Sequence, residues 1–138
     1  DILSGLVGSE MCIRDSAYAV ATGKALLAYQ PDGYVERYAE QLVRHTPSTI
    51  VSMALLKDEL RKIARAGYAV NRGEWREGVG GLAVTLFNSL DQPVAAVGIS
   101  GPLDRLSAAR MKQLAPDVSA CAQAISQGMG YRRGFLDQ

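Results

Sequence analysis

Four short stretches carry residue types whose spacing could support chemistry. Gly23-Lys24 has the glycine and lysine that end a phosphate-binding loop, in which backbone N–H groups cradle phosphate oxygens. That loop needs a glycine five positions earlier and Ser or Thr after the lysine, where Tyr18 and Ala25 stand. Gly98-Ile99-Ser100 has the glycine and serine of a nucleophile elbow, but Pro102 replaces the second glycine and no helix follows directly. His45, the single imidazole, precedes Thr46-Pro47 at an expected helix end, where a histidine satisfies a carbonyl more readily than it acts as a base. Gly78-Val79-Gly80-Gly81 lies between β-type residues and lacks the strand-turn-helix context of a dinucleotide site. None of the four completes a catalytic or nucleotide motif, and no cofactor is expected.

The scaffold that must hold these residues is one domain. The 138 residues are 48% hydrophobic and 21% charged with a net charge of +1, which describes an ordinary globular chain without a basic nucleic-acid surface. Cys12, Cys121 and His45 are too few and too far apart for a zinc site or a disulfide framework. No apolar run approaches the roughly 18 residues of a membrane span, and no signal-peptide pattern is present. A cytoplasmic, metal-free location is the expectation.

Period and punctuation give the elements. Residues 17–29 read as a helix that stops before Gln30-Pro31-Asp32-Gly33. A second helix, over 33–44, carries Tyr34, Tyr38 and Leu42 on one face. A third, over 53–66, starts from a Ser52 cap and ends at Gly67, burying Leu56, Leu60, Ile63 and Ala64 and turning Lys57, Asp58, Arg61, Lys62 and Arg65 to water. From Gly67 the period becomes extended. Residues 68–70, 79–87 and 93–100 read as strands, the last two as an antiparallel hairpin over Asn88 to Gln92. Gly101-Pro102 ends the sheet, and a long helix over 106–127 is expected to kink or split at Pro116. Strands that do not alternate regularly with helices argue for an α+β domain, an antiparallel sheet flanked by helices.

The first sixteen residues, DILSGLVGSEMCIRDS, follow neither period. SGLVGSEMCIRDS is similar to a translated adapter sequence, which makes residues 1–16 an expected non-native segment; the alternative is an ordinary N-terminal strand, ILSGLV. The domain proper is expected over 17–131, with 132–138 as a tail.

ATGKALLAY, HTPSTI, LKDELRKIARAGYAVNRGEWREGVGGLAV and VAAVGISGPLDRL occur in an order and spacing that resembles the effector-binding domain of IclR-type transcription regulators, over nearly all of residues 17–130. The resemblance implies a GAF- or profilin-like α+β fold and a small-molecule sensor rather than an enzyme. It also implies self-association as a dimer or tetramer, and DNA contact only through a winged helix-turn-helix domain that would lie upstream of Ala17.

The same resemblance implies a pocket. The family's backbone N–H groups at the helix entrance correspond to Ala21 and Thr22, just before Gly23. Its acidic pocket residue corresponds to Asn71, its strand cysteine to Gly81, and its two serines to Gly98 and Ser100; Glu74 and Gly78 keep the family's residues. Losing a charge, a thiol and a hydroxyl predicts a roomier, less polar pocket, suited to a larger or aromatic organic acid rather than a two- or three-carbon oxoacid. Close strand packing is the alternative reading of Gly80, Gly81 and Gly98. Three alternatives to the regulator remain at this level: a small enzyme using Ser100, Glu74 or Lys24, a ligand-binding module without a DNA-binding partner domain, and a fragment whose missing strands leave an open sheet edge.

Overall fold

Gly67 is where the chain turns from helix to sheet, and the residues around it show why. A computed structural model describes residues 17–39 and 42–132. The expected non-native segment 1–16 and the tail beyond Arg132 lie outside the described residues, as does the Tyr38 side chain. Ser52 accepts from Leu55 N at 3.5 Å, opening a helix at Met53; Gly67, at φ 85°, closes it at Ala66 in the left-handed region that a Cβ disfavours. Numbered along the chain, a 3-10 turn (Ala17–Ala19) is followed by α1 (Ala21–Leu27), α2 (Asp32–Ala39) and α3 (Met53–Ala66). Then come β1 (Ala69–Arg72), β2 (Val79–Phe87), β3 (Pro93–Pro102) and α4 (Ala108–Gly128).

The strands form an antiparallel sheet in the order β1-β2-β3, with Asn71 opposite Gly81 and Gly81 opposite Ser100. Strand alternation sorts their side chains onto two faces. Ala69 and Ala83 join Tyr18, Ala25, Leu27, Leu56 and Ile63 in the core beneath the 3-10 turn, α1 and α3. Leu82, one residue away, packs on Ala115 and Val118 of α4. This is the expected α+β architecture, with helices on both faces. No helix among the described residues is long and apolar enough to cross a membrane.

Several boundaries differ from expectation, β1 among them, which runs over Ala69–Arg72 rather than 68–70. Residues 17–29 are not one helix, because Val20 is extended (φ −121°, ψ 150°) and α1 starts at Ala21. The break lets the 3-10 turn fold back on α1, where a Cβ on Gly23 would stand 2.3 Å from Ala17 O. The second helix is described over Asp32–Ala39, residues 40 and 41 lie outside the described residues, and residues 42–44 are in no helix. Val43 gives both backbone groups to the buried Tyr18 hydroxyl, which accepts from Val43 N and donates to Val43 O, each at 2.7 Å. His45 therefore sits in a loop rather than at a helix end, 3.3 Å from that hydroxyl. β3 runs through Gly101 and Pro102, which pair with Gly80 and Val79.

Pro116 does not split α4. Its ring takes the solvent side between buried Ala115 and Val118, so the helix loses one hydrogen bond and keeps its packing. Ala64 is exposed, leaving Leu56, Leu60 and Ile63 as the buried stripe of α3.

The end of α4 is fastened by rings. Phe87 meets Tyr29 edge-on at 5.0 Å and stacks on Tyr131 at 5.4 Å. Burial, and then the neighbouring Tyr131, hold the Tyr29 phenol above its ordinary value of about 10. As pH rises past 10 the unfolded chain ionises this phenol before the folded one does, so stability is complete below that pH and falls as pH climbs toward the raised value. Tyr29→Phe is expected to lessen the alkaline loss, which urea titrations at pH 8 and pH 11 on both proteins would reveal; equal losses would contradict the assignment.

Candidate functional site

α1 lies across the sheet face that carries Ala69, Asn71, Gly81, Ala83 and Thr85, and small residues let it come close. Thr85 Oγ1 donates to Ala25 O at 2.6 Å, tying the middle of α1 to β2. Toward the N-terminus of α1 the facing residues shrink to Gly81 and Gly98, and the two layers part around a cavity of about 460 Å³. Ala21, Thr22, Gly23, Asn71, Gly81, Gly98 and Ser100 all line it. The structure thus gathers every sequence-expected site residue around one space.

The polar groups there are dipoles. The first intrahelical bond of α1 runs from Lys24 N to Val20 O, and no side chain caps the helix, so the N–H groups of Ala21, Thr22 and Gly23 lack intrahelical acceptors. Asn71 Oδ1 accepts from Glu74 N at 2.9 Å, which fixes the amide's orientation and leaves Nδ2 as its donor for the cavity. The Ser100 hydroxyl has no partner among the described residues, and Thr22 stands exposed at the rim. Among the described residues, no charged side chain lines the cavity. The arrangement can hold an anionic or hydrogen-bond-accepting group at one end of an otherwise apolar space.

The two strand glycines differ. A Cβ on Gly81 would stand 3.3 Å from Ile99 O and 3.4 Å from the Ala21 methyl, so anything larger than a methyl enters the cavity. A Cβ on Gly98 would meet Leu82 O at 2.3 Å, so this glycine serves the close approach of β3 to β2 rather than leaving room. Gly80 is also a packing position, since its Cβ would collide with Leu103 and Met111 at 2.6 and 2.8 Å.

Lys24 and Glu74 do something the sequence reading missed. Lys24 is buried, with Nζ 2.9 and 3.0 Å from the Glu74 carboxylate oxygens, 2.5 Å from Val70 O and 3.6 Å from Glu59 Oε1. Glu74 Oε2 also accepts from Arg72 N, and the Thr49 hydroxyl donates to Glu74 O. Thr46 Oγ1 donates to Gly73 O, so the HTPST segment clamps the same connection. The two groups offered above as catalytic candidates are therefore held in an ion pair that joins α1 to the residues between β1 and β2. The only signal in the sequence was a lysine amid the apolar residues of ATGKALL.

Trp75 was the second omission. Set among charged residues in the sequence, it is half-buried, packs on the core and lines the cavity; Tyr34 is half-buried as well. His45, by contrast, does not reach the cavity. Among the described residues no group of three or more His, Cys, Asp or Glu is placed to hold a metal ion.

The profile of the family described as "Bacterial transcriptional regulator IclR C-terminal" matches residues 7–127. The HTH-type transcriptional regulator RhmR of Escherichia coli (strain K12) is 33% identical over 122 residues, covering 87% of this chain and 47% of the relative. This chain spans about half the length of such curated relatives. The crystal structure of the Agobacterium tumefaciens repressor BlcR matches with a TM-score of 0.78 at 26% identity, over 84% of this chain and 47% of that one. The inducer-binding domain of the Acinetobacter transcription factor PobR, solved as a double mutant with 3-hydroxybenzoic acid, matches with a TM-score of 0.75 at 25% identity, over 80% of this chain and 65% of that one. The fold is that of the C-terminal domain of bacterial transcription regulators, a class of regulators rather than enzymes. The chain belongs to the IclR family, as the C-terminal domain of its members.

Proposed function

We propose that this domain senses a small organic acid larger than a two- or three-carbon oxoacid, bound between the N-terminus of α1 and the sheet. The observation that supports the reading most is the cavity itself. Its volume of about 460 Å³ suits a ligand of drug-like size, its walls are mostly apolar, and N–H groups without intrahelical acceptors stand at one end with no charged side chain among the described residues. An anion entering there meets the positive end of the helix dipole and peptide donors instead of a fixed counter-charge. Asn71, Gly81 and Gly98 make the wall less polar, while Ser100 retains a hydroxyl. The hydroxybenzoic acid held by the PobR domain is a ligand of this chemical class.

In a complete regulator, this binding would alter dimer or tetramer geometry and thereby the DNA affinity of a winged helix-turn-helix domain. A coupling free energy of about 1–3 kcal/mol would suffice. Residues 17–131 form the sensing unit in this proposal.

Thermal-shift and calorimetric titration of the chain with glyoxylate, pyruvate, C6–C8 aliphatic acids and benzoic acids tests the reading. At a hundredfold excess over Kd, a bound acid is expected to stabilise the fold by about 2.7 kcal/mol. Gly81→Leu, which places its side chain in the cavity, is expected to abolish that shift. Stabilisation by the oxoacids alone would overturn the size argument, and an undiminished shift in Gly81→Leu would move the ligand elsewhere.

A further inference from the structure

Aliphatic, small or polar residues make up the cavity wall except at one position. Trp75 is the single tryptophan of the chain and, among the described residues, the one aromatic residue lining the cavity. Its backbone is fixed by its neighbour, since Glu74 N donates to Asn71, Glu74 O accepts from Thr49, and the Glu74 carboxylate holds Lys24. Its ring is restrained too. The Arg76 guanidinium lies 4.5 Å from the indole centroid, and the ring packs against the hydrophobic core. Arg76 is not itself part of the cavity wall, so the cation braces the indole without presenting its charge to the cavity.

The sheet side of the cavity complements this ring. Gly81 leaves peptide surface without a side chain, and Ala96 adds only a methyl, so the floor is low. The indole N–H has no partner among the described residues. An aromatic side chain and small-residue peptide surface border the same cavity, and a flat ring packed against both leaves fewer voids than a puckered one.

We propose that Trp75 is the specificity-determining residue of the cavity, selecting acids with a planar aromatic ring over saturated acids of the same size. The proposal rests on reading the cavity as the effector site, and it deepens that reading by assigning ring selection to one side chain. Aromatic contacts beyond area burial predict about a threefold to tenfold preference.

Benzoate and 1-naphthoate can be compared with cyclohexanecarboxylate by calorimetry on the full chain, its Trp75→Phe variant and its Trp75→Leu variant. The wild type is expected to favour the aromatic acids by about threefold to tenfold. Trp75→Phe should keep most of that ratio, and Trp75→Leu should bring it within about twofold while still binding the saturated acid, since leucine preserves an apolar wall. Equal wild-type affinities, or a ratio unchanged in Trp75→Leu, would overturn the role of Trp75 and leave the effector site standing. If none of the three acids binds the wild type, this proposal falls; if the C6–C8 aliphatic acids then also fail, the effector site falls with it. Should Trp75→Leu fail to fold, wild-type indole fluorescence decides: the aromatic acids are expected to change it more at saturation than cyclohexanecarboxylate does, and equal changes would count against the proposal.

Discussion

Lys24→Ala is expected to destabilise the domain by about 3–5 kcal/mol, because it removes the cation from a buried pair and leaves a carboxylate behind. Lys24 is 1% exposed, and its partner Glu74 is also buried. Without the ammonium, Glu74 loses two charge-assisted contacts at 2.9 and 3.0 Å and, among the described residues, keeps only the Arg72 N–H as a partner to its side chain. Glu59, at 3.6 Å, is more exposed and can turn to water. The loss is a large share of the about 5–15 kcal/mol that separates folded from unfolded domains. Urea denaturation would measure it. Replacing both partners, Lys24→Met with Glu74→Leu, should recover most of the loss, because apolar groups of similar volume need no counter-charge. If the single variant cost less than about 1 kcal/mol, the pair would be behaving as a solvated surface bridge instead.

Gly23→Ala is the second large effect, and its sign separates two arguments. Helix propensity alone predicts a gain of about 0.8–1 kcal/mol when alanine replaces glycine inside α1. Packing predicts a loss. The new Cβ would lie 2.3 Å from Ala17 O and 2.5 Å from Ala17 Cα, and both of these are backbone atoms that cannot rotate away. α1 or the 3-10 turn must shift, at a cost of about 1–3 kcal/mol for such overpacking. That cost outweighs the propensity gain, so thermal melting should show net destabilisation. Gly81→Ala is the control: contacts of 3.3 and 3.4 Å ask its neighbours to give by only a few tenths of an ångström. Its change should be much smaller, and a stabilised Gly23→Ala would mean that α1 does not approach the turn this closely.

Local chemistry made much of the fold legible. α3 begins and ends where Ser52 and Gly67 signal, β2 keeps its expected ends at Val79 and Phe87, and Ser107 caps α4. Each of these depends on residues within a turn or on a period of two. Where the reading went astray, a distant residue had taken over a backbone group or a volume. Val43 left the helical pattern for a tyrosine 25 positions earlier, and α1 lost its first turn to the fold-back against Gly23.

The candidate site divides in the same way. The seven expected residues do converge, since strand alternation and antiparallel register place Asn71, Gly81 and Ser100 on one face of the sheet. The cause of each glycine was not readable. A Cβ would be 3.3 Å from its nearest atom at Gly81 but 2.3 Å from a carbonyl oxygen at Gly98, a difference that exists only once β2 and β3 are aligned. Charged neighbours surround Trp75 in sequence, and one of them, Arg76, braces it at the cavity wall.

By itself, the sequence determined the α+β class, the change of period at Gly67, the hairpin and the family, because caps, turns and alternation are local properties of the chain. The tertiary structure alone decided where α1 begins, that Lys24 pairs with a glutamate fifty positions away, and that a tryptophan borders the cavity. These depend on which surfaces meet, and the free energy of a buried charge or a close contact is defined only when both partners are in place.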